Sequence, residues 1–97
     1  MDPFDELERH YPEIISRMPE RFNSHEFILQ LAYEYQRLYI KALAMYAEAE
    51  GWPFMIVHGR LAKGLIKYPD LVKDIGDEPS RDIFGHSSSA ALWRKLK

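Results

Sequence analysis

Between Ser24 and Glu50 the chain runs for 27 residues without a proline or a glycine, and that stretch constrains the fold more than any other feature. Asn23 just ahead of it can accept a hydrogen bond from the first helical turn, and Glu26 can return one. Phe22 and Phe27 stand at the spacing of a hydrophobic staple. Gly51 offers a left-handed stop. Together these signals predict one helix over residues 24–50, roughly 40 Å long at about 1.5 Å per residue. Such a rod is longer than a 97-residue globule is wide, since a compact chain of this size has a radius of gyration of about 13 Å.

The helical wheel divides the rod into two apolar stripes. Phe27, Leu31, Tyr35, Leu38, Ala42, Met45 and Ala49 form one seam, with Ile28, Tyr39, Leu43 and Tyr46 on its shoulder. Leu29, Tyr33, Ile40, Ala44 and Ala47 form a thinner stripe nearly opposite. Polar residues Gln30, Glu34, Arg37, Lys41 and Glu48 run between them. A helix apolar on two sides either sits in the middle of its own fold or offers the second side to another chain. Tyrosines 33, 35, 39 and 46 suit either place, because the ring buries area while the hydroxyl stays wet.

The flanking segments also read as helices. Asp2-Pro3 is a cap followed by proline at the first helical position, and Pro12 divides the N-terminal region into two short helices ended by Pro19. Phe54, Val57, Leu61, Leu65 and Tyr68 follow helical spacing after Trp52-Pro53, although residues 54–57 alone would also fit a short strand. Residues 69–75 read as a short helix with Pro69 at its start and Gly76 at its end. Residues 77–85 read as loop. Ser87, Ser88 or Ser89 then caps a last helix through Ala91, Leu92, Trp93 and Leu96. The expected fold is therefore all-α, a single domain over residues 1–97: a small bundle around one long central helix. Leu31, Leu38, Leu61, Leu65, Phe84, Leu92 and Trp93 are its core candidates.

Composition removes several classes of function. The chain has no cysteine, which excludes disulfide frameworks, thiolate metal sites and cysteine nucleophiles. Histidines 10, 25, 58 and 86 show no metal-binding spacing, so no metal is expected. His86 beside the serines lacks a G-x-S-x-G elbow, and the glycines form no phosphate cradle. No enzyme activity and no cofactor are expected. No apolar run is long enough to span a membrane and no leader is recognisable, which points to the cytoplasm.

Charge is uneven. The net charge is −2, with −5 on residues 1–50 and +3 on residues 51–97. Asymmetry of this kind suits a basic binding face or head-to-tail association. Residues 58–77, HGRLAKGLIKYPDLVKDIGD, carry Leu61-Ala62, Leu65, Val72 and Ile75 at a spacing that resembles a helix-turn-helix unit. In that class a small residue lets the second helix pack closely, and later aliphatics hold it down. The resemblance covers about a fifth of the chain. It implies a groove-facing helix at residues 69–77 and DNA backbone contacts from Arg60, Lys63, Lys67 and Lys73. Ile66 departs from the glycine usual in the turn, and Asp70 and Asp74 would face phosphates.

Two roles follow as expectations. The first is a non-catalytic protein-interaction module that binds a protein partner, or itself as a homodimer, through Leu29, Tyr33, Ile40, Ala44 and Ala47. The alternative is a DNA-binding regulator acting through residues 58–77.

Overall fold

A computed structural model describes residues 2–96. The chain begins with two short helices, α1 (Pro3–Arg9) and α2 (Tyr11–Arg17). The Asp2 carboxylate accepts the Phe4 N–H at 2.7 Å, which satisfies one of the donors a helix start leaves orphaned. The two helices divide at His10, not at Pro12. Pro12 lies in the first turn of α2, where its missing N–H has no helical partner to lose. Phe4, Leu7, Tyr11, Ile14 and Ile15 point into the core from this pair.

The expected rod is broken. Helix α3 (Ser24–Glu34) starts as anticipated, with Asn23 and Glu26 exchanging both bonds of a capping box and Phe22 stacked on Phe27. Tyr35 then leaves helical geometry at φ −126° and ψ 55°, and α4 (Gln36–Ala44) resumes beyond it. The cause is tertiary. The Tyr35 hydroxyl donates to Glu13 at 2.8 Å, its ring stacks on His10 with centroids 4.0 Å apart, and Arg17 holds both Glu13 and Glu34. These contacts draw the end of α3 onto the α1–α2 junction, and one displaced residue is a small loss beside them. After Ala44 the chain makes turns rather than helix up to Gly51. The principal extents are 38 × 31 × 19 Å with a radius of gyration of 12.8 Å.

The larger correction is a sheet. Among the described residues, β1 (Arg21–Asn23), β2 (Val72–Arg81) and β3 (Ser87–Lys95) form an antiparallel sheet in the order β1-β3-β2. The fold is mixed α/β, not an all-α bundle. The helix expected at residues 69–75 is a turn running into β2, and the expected C-terminal helix is β3. Both errors have a physical origin. A bulge between Asp74 and Asp77 sets an extra residue opposite β3, with Gly76 at φ 122°, so apolar and polar residues do not alternate along β2. In β3 the Ser-Ala-Ala-Leu run suits a capped helix locally. Its pairing is settled by distant partners instead: Trp93 stands opposite both Phe22 and Asp74, and its indole N–H donates to the Ser24 hydroxyl at 3.0 Å. Strand preference of this kind is read from packing, not from the local chain.

Helix α5 (Pro53–Gly64) and a 3-10 turn (Leu65–Lys67) follow the predicted spacing and bury Val57, Leu61 and Leu65. These side chains meet Phe22, Phe27, Leu31 and Trp93 in one core. Of the seven expected core residues, Leu31, Leu61, Leu65 and Trp93 are buried and Leu38 and Leu92 are half-buried. Phe84, expected in a loop yet counted in the core, is 50% exposed, because it sits in the turn of the hairpin between β2 and β3. Among the described residues no helix is long and apolar enough to cross a membrane.

Candidate interaction site

The second stripe of the expected rod is open to solvent. Leu29, Tyr33 and Ile40 are 53%, 71% and 61% exposed, and Ala44 and Ala47 are exposed as well. The break at Tyr35 divides them into two patches, Leu29 with Tyr33 on α3 and Ile40 with Ala44 on α4, with Ala47 in the turn that follows. The opposite seam is buried at Phe27, Leu31 and Ala42 and reaches the surface at Met45 and Ala49, past the end of α4.

The four basic residues of the helix-turn-helix resemblance are placed differently from its pattern. Arg60 and Lys63 lie on α5, Lys67 in the 3-10 turn and Lys73 on β2. Residues 69–77 are turn and strand, so the groove-facing helix is absent from that position. Arg60 also has local partners: its guanidinium lies 3.8 Å above the Phe4 ring and donates to the Tyr46 hydroxyl at 2.7 Å. Lys67 pairs with Glu8 at 2.8 Å.

A cleft of about 330 Å³ lies elsewhere, between α3, α5, β3 and the β2–β3 hairpin. Its walls include Ile28 from α3, Phe54, Met55 and Ala62 from α5, and Phe84 from the hairpin, with His25 and His58 facing in. His58 is half-buried. Its Nε2 lies 2.6 Å from the Tyr39 hydroxyl, and its ring stacks on Phe84 with centroids 6.1 Å apart. Burial pushes the His58 pKa below the usual imidazole value, against the pull of the Asp82 carboxylate. The ring is therefore neutral at neutral pH. His25 Nδ1 lies 3.0 Å from the Ser80 hydroxyl. Asp82 accepts the backbone N–H groups of Phe84 and His86 at 2.9 Å each, and those bonds, the His86 one foremost, hold its carboxyl below the ordinary range.

Residue-by-residue reading misses this cleft because its walls are far apart in sequence and two of them are strand and hairpin. The available signal was Phe54 and His58, one helical turn apart on α5, an aromatic pair that Phe84 joins from the hairpin. Comparison with family models, with curated proteins and with solved structures found no match.

Proposed function

We propose that this chain is a small non-catalytic protein-interaction module that pairs with a second copy of itself through the exposed apolar side chains of α3 and α4. One observation carries the proposal: Leu29, Tyr33 and Ile40 are held outward in water by helices whose other faces are anchored in the core. Covering such side chains removes apolar surface from water, the dominant favourable term in most protein association.

The choice of a second copy rests on charge. Helix α3 carries Glu26, which also accepts the Asn23 N–H, and Glu34, which also pairs with Arg17, and α4 carries Arg37 and Lys41. A two-fold pairing that sets α3 of one protomer against α4 of the other brings each apolar patch onto its counterpart and each acidic helix onto a basic one. The test is size-exclusion chromatography with light scattering at high micromolar concentration. The expected result is a dimer for the unmodified chain and a monomer for Ile40→Asp. An unmodified chain that stays monomeric at that concentration overturns the proposal.

A further inference from the structure

The free edge of β3 points to a second kind of partner, independent of self-association. Residues Ser88, Ser89, Ala90 and Ala91 all line the cleft, although successive side chains of a strand face opposite sides of the sheet. What they share is the strand's edge. Strand β1 pairs with β3 only from Arg94 to Leu92 and then turns into α3, so residues 87–90 have a strand partner on the β2 side alone among the described residues.

The direction of the backbone groups follows from two bonds. The Lys95 N–H donates to Glu20 on the β1 side, and the Leu96 N–H donates to Leu71 on the β2 side. Alternation along the strand then turns the N–H and C=O of Ser89 toward the cleft and those of Ala90 and Ser88 toward β2. The outer edge of the sheet is treated differently. Pro79 stands opposite Ser89 in the pairing, so its nitrogen, which has no hydrogen to give, faces outward from β2. The bulge and the charged residues of β2 blunt that edge further. One edge is defended; the other opens into an apolar cleft.

We propose that the cleft takes an extended peptide of a protein partner, added antiparallel to β3 in line with β1. Its backbone pairs with Ser89, a bulky apolar side chain enters between Ile28, Met55 and Ala62, and a lysine or arginine lies beside Asp82. The Ser89 N–H has no strand partner on the cleft side among the described residues, and its carbonyl there takes only the Ser88 hydroxyl at 3.5 Å. Such an edge calls for another backbone, the means by which strand addition gains affinity while the adjoining pocket gives specificity. Charge selects the basic residue. Asp82 is the one carboxylate among the described residues that line the cleft, and no lysine or arginine is among them. A folded second copy fits poorly, because its edge strand would bring a neighbouring strand against α3 and α5; a free segment brings none.

The probe is a library of short random peptides selected on the full chain, followed by fluorescence anisotropy of a labelled selected peptide. Selected peptides are expected to share a bulky apolar residue and, toward their C-terminal side, a lysine or arginine. Two variants test the site. Gly59 lines the cleft and a Cβ there meets no atom within 4 Å, so Gly59→Leu adds bulk at the cleft with no clash at its Cβ. Ser89→Pro removes a donor that β2 does not use. Each is expected to weaken peptide binding at least about tenfold, equivalent to about 1.4 kcal/mol, with an unchanged circular dichroism spectrum. Bound peptide is expected to slow amide exchange at Ser89 while leaving Ala90 unchanged. Ile40→Asp should bind peptide as the parent does, which keeps this result separate from self-association. Failure to enrich any peptide, or binding by either cleft variant as tight as the parent's, overturns the proposal.

Discussion

The hydroxyl of Tyr11 donates to the backbone carbonyl of Leu61 across 2.5 Å, joining α2 to the end of α5. There α5 tightens into the 3-10 turn and the Leu65 N–H reaches Ala62. The tyrosine hydroxyl thus supplies the Leu61 carbonyl with a buried partner as the regular helix ends. Burial, with Glu8 and then Tyr68 adding to it, raises the Tyr11 pKa far above the usual phenol value, so the group stays a neutral donor.

Removing that hydroxyl tests how much the junction depends on it. Tyr11→Phe keeps the edge-on ring contact with Phe27 but strips a buried carbonyl of its partner, which should cost about 1–3 kcal/mol. Gly64 is the complementary site, because a Cβ there would lie 2.9 Å from both Cε2 and the hydroxyl oxygen of Tyr11. Gly64→Ala should destabilise by about 1–3 kcal/mol through overpacking. Gly59→Ala on the same helix meets open space and should stabilise by up to about 1 kcal/mol. Urea midpoints of the three variants check this. Equal shifts for the two glycines would contradict the contact.

Asn23 joins a local cap to a distant strand. Its side chain accepts the Glu26 N–H at 2.9 Å and donates to Glu78 at 2.8 Å and Ser80 at 3.1 Å. Asn23→Ala should therefore cost more than the ~1 kcal/mol of an ordinary cap. Asn23→Asp retains the acceptor but sets one carboxylate against another, and Glu78→Gln added to it should restore part of the loss. Thermal midpoints of the single and double variants measure the coupling.

The same residue shows what could be read in advance. Its capping box and the Phe22–Phe27 staple are local chemistry, and both were legible, as were the Asp2 cap and the spacing of Val57, Leu61 and Leu65. The interruption at Tyr35 was not, since it has no proline or glycine to mark it and arises from Glu13, His10 and Arg17 of other helices. Strands β2 and β3 were hidden for a related reason. A bulge removes the alternation of one, and a helix-friendly Ser-Ala-Ala-Leu run disguises the other. The cleft depends on both strands, so it was out of reach together with them.

Acidification should weaken the fold through His58. Its pKa is depressed in the folded state by burial, so the unfolded chain binds the proton first as pH falls. The contribution is fully present above the ordinary value of 6.5 and is lost as pH falls through the lower folded value. The thermal midpoint should decline with pH in that window, and His58→Gln, which cannot titrate, should flatten the decline. Asp82 acts in a separate, more acidic window. Its carboxyl is held low by backbone donors, so its stabilisation is present above 3.8 and lost below it. A midpoint equally steep in His58→Gln between pH 6.5 and the onset of carboxylate protonation would assign the effect elsewhere.

Pro79 guards the outer edge of the sheet by lacking a hydrogen where β2 would otherwise offer one to a neighbour. Its nitrogen faces away from β3, so Pro79→Thr adds a donor to the exposed edge and removes no bond within the fold. Threonine is also favoured in strands, so equilibrium stability should hold or rise slightly. Solution behaviour should nonetheless worsen, because beyond the bulge the edge from residue 77 to residue 81 then offers an uninterrupted set of donors and acceptors to another chain. The expected outcome is light scattering that grows with protein concentration in Pro79→Thr, with urea midpoints no lower than those of the parent. Adding Ile40→Asp should remove the dimer step but leave the excess of Pro79→Thr scattering over that of the matching Pro79 chain unchanged, because edge pairing and the α3–α4 surface lie on different parts of the molecule. Loss of that excess on adding Ile40→Asp would trace the association to the helices, and an excess indifferent to concentration would remove the protective role of the proline.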